Sequence, residues 1–333
     1  MRRSDAKKLA PDLRLIGPIE RALVPKFHAE KSAKMNRLMR KFMRGKWFGH
    51  HSVMRENFIE RADGSRQRVL IVHPKGKAND AAPGLLWMHG GGYGIGIPEL
   101  DFAYMDSFAS AGNCVVVSPD YRLSCEAPYP AALEDCYLAL KWMKKNAEKL
   151  RVQSDRLFVG GESAGGGLAA ALAIYARDKK EVSIAYQMPF YPMLDDRMIM
   201  PSSRDNRMPV WDSASNKRAW EAYLGSLYGQ DNVPSYAAPS RETDYAGLPP
   251  CCTFAGTAEP FYDEVVRYVN DLKAAGVPVD FMEFEGCYHA FDIMAPFSKE
   301  AKAAKEFYMR SFTYAAARYR APQPPEKGRH ASR

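Results

Sequence analysis

Apolar positions recur along this chain with two periods. Up to about residue 50 they fall at helical spacing, as at Met35, Leu38, Met39, Phe42 and Met43, with Lys31, Lys34, Arg37, Arg40, Lys41 and Arg44 on the other side. This predicts a basic helix in an N-terminal cap segment, residues 1–52, whose Met-rich side closes over a pocket or core. A membrane-surface helix is the alternative. From Val53 the period shortens to that of strands. Residues 57–61 and 68–73 flank the turn signal Asp63-Gly64-Ser65 and predict a hairpin. Residues 74–83 read as a polar loop. Apolar runs at 84–89, 114–118, 156–159, 184–190, 251–256 and 279–284 then alternate with helical stretches near 99–112, 130–149, 164–177, 257–276 and 298–319. Such alternation predicts an α/β fold: a mostly parallel central sheet with helices on both faces.

The rhythm breaks at 192–245, which holds Pro192, Pro201, Pro209, Pro234 and Pro239 and one helical piece near 217–228. That length is too great for a plain connection, so it reads as a second piece of the cap inserted into a catalytic domain spanning 53–320. Trp211, Trp220, Tyr223 and Tyr228 either line an acyl pocket there or form the insertion's own core. The Pro-rich, polar stretch 321–333 is expected to be a disordered tail.

With 333 residues and 46% hydrophobic content, the chain can bury a large core. Its net charge of +8 lies largely before Trp47 and after Lys299. No nucleic-acid motif accompanies it, so the charge reads as mainly solvated surface. Cys114, Cys125, Cys136, Cys251, Cys252 and Cys287 lack metal-ligand spacing, and Cys114, Cys251 and Cys252 lie in apolar runs as small hydrophobes. The pair His50-His51 has no further His or Cys cluster beside it, so no metal site is expected. Met1 to Lys8 leads into no apolar signal region, and no stretch reaches the length of a membrane span. A reducing cytoplasm is the default expectation.

The candidate chemistry centres on Gly161-Glu162-Ser163-Ala164-Gly165, a G-x-S-x-G pattern between an apolar run and an Ala-rich helical stretch. A sharp strand-to-helix turn there lifts the Ser163 hydroxyl above the sheet and leaves the Ala164 N–H at a helix N-terminus, where it can stabilise an oxyanion. His89-Gly90-Gly91-Gly92-Tyr93 follows another buried strand and fits the second half of an oxyanion hole, with His89 bracing the loop. A serine hydroxyl needs a base and an orienting carboxylate to become nucleophilic. His289, in the loop after the last strand, is the candidate base. Glu259 and Asp263, just after the preceding strand, are both candidate acids; Glu259 stands at the loop position and reaches further, with Asp263 the runner-up.

These motifs, with Asp120-Tyr121-Arg122-Leu123, Pro130-Ala131-Ala132-Leu133-Glu134-Asp135 and His289-Ala290-Phe291, resemble the hormone-sensitive-lipase-like branch of α/β-hydrolase esterases, bacterial family IV. The resemblance covers roughly residues 54–320 and implies Ser163 as nucleophile, His289 as base, and Gly91, Gly92 and Ala164 as oxyanion donors. The family's D-P-L-x-D-E run is Glu259-Pro260-Phe261-Tyr262-Asp263-Glu264 here, which by register implies Glu259. The chain also departs at Cys125, where the family has proline, and at Ala290, where it has glycine. The resemblance implies hydrolysis of short- to medium-chain carboxylic esters without cofactor or metal. The expected partner is a small-molecule ester, with no nucleic acid and no stably inserted membrane segment; a homodimer stays open. Two alternatives remain. One is a non-catalytic small-ligand receptor, as in the plant gibberellin receptors that resemble this family but lack the triad histidine. The other is an amidase or deacetylase using the same triad.

Overall fold

Eight strands form one sheet in the computed structural model, which describes residues 7–76 and 82–325. They are β1 (Ser52–Glu60), β2 (Arg66–Pro74), β3 (Ala82–Met88), β4 (Val115–Pro119), β5 (Val152–Glu162), β6 (Tyr186–Phe190), β7 (Cys251–Gly256) and β8 (Val279–Phe284). The order is β1-β2-β4-β3-β5-β6-β7-β8. The β1–β2 hairpin and the β2–β4 pair are antiparallel, and every other pair is parallel. β3, β4, β6 and β7 are buried along their whole length. That is why they appear in sequence as unbroken apolar runs rather than alternating ones.

The longer helices are α1 (Ile16–Leu23), α2 (Ala29–Met43), α3 (Phe102–Gly112), α4 (Ala131–Lys145), α5 (Ala164–Lys179), α6 (Ser213–Leu224), α7 (Tyr262–Ala274) and α8 (Lys299–Arg318). Successive side chains of β3 serve opposite faces. Leu86 and Met88 join the core under α4 and α5, while Leu85 and Trp87 join the one under α3 and α8. Trp87 is wholly buried there, with its ring centroid 4.8 Å from that of Tyr104 and 5.4 Å from that of Phe108.

Four expectations change. The inserted helix starts at Ser213 rather than near 217, because the Asp212 side chain accepts the Ser215 N–H at 2.8 Å and caps it. The helix after β7 starts only at Tyr262, which leaves Glu259 in the turn before it. The N-terminal helix does not close its Met-rich side over the core. Ser32 and Asn36 are its buried residues, Met35, Met39 and Met43 are half-buried, and Leu38 and Phe42 face solvent. The start of the expected disordered tail is tied down. Ala321 N–H donates to Asp155 O at 2.8 Å, and the Gln323 amide donates to Ser154 O and Ser183 O, both at 2.8 Å. The rest of that tail, residues 326–333, lies outside the described residues, as do residues 1–6 and positions 77–81 of the polar loop.

The N-terminal segment and the insertion meet over the sheet. The Phe27 N–H donates to Ser215 Oγ at 3.3 Å, the Phe27 and Trp211 rings meet edge-on at 6.0 Å, and Arg21 donates to Met208 O at 2.9 Å.

Candidate active site

β5 ends by running straight into α5, and the residue between them is Ser163, with φ 58° and ψ −119°. A non-glycine residue in that region costs about 1–3 kcal/mol and persists only where its surroundings enforce it. Here the Ser163 N–H donates to Phe190 O at 3.0 Å, and its carbonyl accepts the N–H groups of Gly167 and Met193 at 2.9 and 3.0 Å. The flanking glycines permit the close crossing of strand and helix. A Cβ on Gly165 would lie 2.0 Å from Met88 O, and one on Gly161 would lie 2.5 Å from the Gly165 carbonyl.

His289 arrives from the loop after β8. Its Nε2 lies 2.8 Å from Ser163 Oγ and its Nδ1 lies 2.5 Å from Glu259 Oε2. The other carboxylate oxygen, Oε1, accepts the Gly256 N–H at 2.9 Å, so the acid is fixed from both ends. All three side chains are buried, at 4% (Ser163), 3% (His289) and 1% (Glu259) exposure. Tyr191 and Phe261 present their rings edge-on to the imidazole at 5.1 and 5.0 Å. Burial raises the Glu259 carboxyl above its ordinary pKa, while the bonds from His289 and Gly256 pull it back down. Asp263 does not join this group. Its Oδ2 accepts the Ser202 N–H at 2.8 Å and its own N–H donates to Ser202 Oγ at 3.1 Å, tying the first turn of α7 to the insertion.

The glycine-rich loop runs beside the serine with turned backbone: φ is 104° at Gly91, 60° at Gly92 and 60° at Tyr93. His89 braces it. The ring stacks on Tyr121 at 4.4 Å, Nδ1 hydrogen-bonds Gly90 O at 2.8 Å, and the Tyr121 hydroxyl donates to His89 O at 2.7 Å. Burial lowers the His89 pKa to about 4, so the ring is neutral and its Nδ1–H is the donor. The neighbouring motif residues act as struts. Arg122 and Arg61 both pair with Asp135, at 2.9 and 2.7 Å, and Arg68 bridges Asp120 and Glu99 at 2.9 and 2.7 Å.

Two features escaped the sequence reading, and a third decides between alternatives it left open. Asn36, 1% exposed on α2, grips the glycine-rich loop with both ends of its amide: Nδ2 donates to Gly94 O at 2.8 Å and Oδ1 accepts the Gly96 N–H at 3.1 Å. One polar residue in a Met-rich stripe was the available signal. Glu162, inside the G-x-S-x-G pattern, buries its carboxyl against Gly90, where a Cβ would meet Oε1 at 1.9 Å. It shares the space beneath the turn with Asp101 and Asp292. Burial and mutual repulsion push Glu162 well above the usual carboxylate range. Asp101 is raised to about 7 by burial, against the Trp87 indole that donates to it at 2.7 Å, and Asp292 is raised to about 6, also by burial. The third is the aromatic set of the insertion. Of Trp211, Trp220, Tyr223 and Tyr228, Trp220 and Tyr223 are buried core, stacking around Tyr93, and Tyr228 is half-buried, whereas Trp211 lies over the site. A Cβ on Gly92 would fall 2.4 Å from Trp211 Cη2, and the Trp211 ring is 6.4 Å from that of His289.

Comparison with known proteins places this arrangement. The α/β-hydrolase fold family matches residues 85–293. Esterase LipI of Mycobacterium tuberculosis is 34% identical over 211 residues, 63% of this chain and 66% of that protein. Carboxylesterase NlhH of the same species is 34% identical over 247 residues, 72% of this chain and 76% of that protein. Among solved structures, a bacterial heroin esterase superposes with a TM-score of 0.84 at 30% identity, covering 93% of this chain and 98% of the other.

Proposed function

We propose, for a chain that belongs to the hormone-sensitive-lipase-like esterases of the α/β-hydrolase family, that its carboxylic ester hydrolysis runs through a serine nucleophile. The observation that carries this reading is the unbroken relay Ser163 Oγ–His289 Nε2 and His289 Nδ1–Glu259, at 2.8 and 2.5 Å. Neutral His289 offers its Nε2 lone pair to the Ser163 hydroxyl, because Glu259 holds the ring proton on Nδ1. Ser163 Oγ attacks the ester carbonyl carbon as its proton passes to Nε2, and the carbonyl oxygen becomes an oxyanion. The N–H groups of Gly91, Gly92 and Ala164 receive that charge. Collapse expels the alcohol, which takes the proton from Nε2 and leaves an acyl-Ser163 ester. Water, deprotonated by the same nitrogen, releases the acid and restores the serine.

Short to medium acyl chains fit this reading best, since Trp211 fills the space over Gly92 and Phe27 backs it. The test is hydrolysis of p-nitrophenyl acetate, butyrate and longer homologues by wild type and Ser163→Ala. The variant is expected to lose turnover by about 10⁶-fold and to stop reacting with a fluorophosphonate probe. Wild-type turnover in the variant would remove the serine mechanism, and a rate that rises steadily to long chains would remove the chain-length reading.

A further inference from the structure

We infer that the outer face of the N-terminal helices is a docking surface for anionic phospholipid bilayers. Both helices bury small or polar residues and leave large apolar ones exposed, with Met35, Met39 and Met43 of α2 half-buried between. α1 buries Gly17 and Glu20, and exposes Leu15 just before it (81%), Ile19 (57%) and Leu23 (75%). These three stand four residues apart, on one face of the helix. α2 buries Ser32 and Asn36 and exposes Leu38 and Phe42, again four apart. A helix that packs on a protein core normally does the reverse. A further exposed aromatic, Phe297 (87%), lies two residues before Lys299, whose N–H donates to Asp12, just before α1, at 3.3 Å.

Charge decides what covers this face. Residues 7–46 hold twelve Lys and Arg against three Asp and Glu, a net +9 where the whole chain carries +8. Lys31, Lys34, Arg37 and Lys41 are exposed around the apolar residues of α2, and no acidic side chain pairs with them among the described residues. A second copy would bring two such segments face to face and repel. An anionic lipid surface offers both an apolar layer for the leucines and phosphates for the lysines. Among the described residues no helix is long and apolar enough to cross a membrane, so the surface lies on the bilayer. The inner side of α1 meets Tyr288, the residue before His289: a Cβ on Gly17 would lie 3.3 Å from that ring. A docked bilayer would therefore stand one helix thickness from the reactive loop.

The test is co-sedimentation of the full chain with phosphatidylcholine vesicles and with vesicles of phosphatidylcholine mixed with phosphatidylglycerol. Binding is expected only to the mixture and is expected to fall steeply as salt rises. The combined change Leu15→Ser, Ile19→Ser and Leu23→Ser, and separately Lys31→Gln, Lys34→Gln and Arg37→Gln, should each lower binding by at least about ten-fold. Turnover of p-nitrophenyl acetate should stay within about two-fold, which reports an intact fold. Equal binding to both vesicles, or to neither, overturns the proposal even if a variant fails to fold. So does a wild-type dimer by light scattering that the leucine changes dissociate.

Discussion

Two buried glutamates stand close to Ser163 and are held by opposite means. Glu259 faces an imidazole at 2.5 Å and a backbone N–H at 2.9 Å, so donors surround it and its charge is matched. Glu162, the residue before the serine, faces Asp101, Asp292 and Glu259 across low-dielectric space and has the Gly90 N–H to set against them. Burial penalises both ions, but only Glu259 has a partner, His289, that can carry the opposite charge. Sequence proximity to Ser163 therefore does not assign a role; what matters is whether a buried carboxyl is required as an ion or tolerated as a neutral acid.

The largest expected effect tests the ion. Glu259→Gln keeps the shape and removes the charge, so the imidazole loses both its oriented tautomer and the support for its protonated form. kcat for p-nitrophenyl butyrate should fall by about 10⁴-fold with the fold intact by circular dichroism. A loss of ten-fold or less, with collapse instead in Asp263→Asn, would reverse the assignment of the acid. Next in size is the grip of α2 on the glycine-rich loop. Asn36→Ala frees Gly94 O and the Gly96 N–H, and lets the proposed oxyanion donors drift. kcat should drop by about ten-fold while KM stays within about two-fold, since the donors act on charge that exists only in the transition state. If KM rises and kcat holds, Asn36 serves substrate binding instead.

The parts of this site that sequence alone revealed are those fixed by local backbone chemistry. Ser163 needs small neighbours on both sides, and Gly161 and Gly165 advertise that need. The loop at Gly90-Gly91-Gly92 and the strands flanking it are legible for the same reason. His289 and Glu259 were placed by counting strands, because a parallel sheet gathers the ends of distant strands on one edge. Asn36 and the Asp101–Glu162–Asp292 cluster are not legible in this way, and Trp211 is legible only as pocket lining or core. Each acts through a contact between segments more than fifty residues apart, and nothing in the spacing of either segment encodes it. The inside-out N-terminal helices misled for a related reason. Periodicity identifies an apolar face and is silent on what that face meets: here Asn36 takes an inner position because the loop beneath it offers polar backbone, and Ser32 can sit inward because its hydroxyl donates to His28 O one turn back.

A small expected effect tests the neutral acid. Glu162→Gln replaces one uncharged group by another of the same shape, so kcat should stay within about three-fold of wild type. A collapse comparable to that of Glu259→Gln would mean that Glu162 works as an ion, and the contrast between the two glutamates would fail.

The smallest effect concerns stability rather than rate, and its sign follows from the same cluster. Asp101 has an ordinary pKa of 3.8, raised to about 7 in the folded protein by burial. The folded state therefore holds a proton that the unfolded chain releases. That contribution to stability is fully present below about pH 4 and is lost as pH rises through about 7. Asp101→Asn keeps an acceptor for the Trp87 indole and cannot ionise, so it should remove part of this loss. Between pH 5 and pH 8 the fall in Tm should be shallower in the variant by about 3 °C. Asp292, raised to about 6 by burial, still titrates and leaves the remainder. Parallel Tm curves for the two proteins would place the proton elsewhere, and Glu162 would then be the member of the cluster whose neutrality the fold depends on.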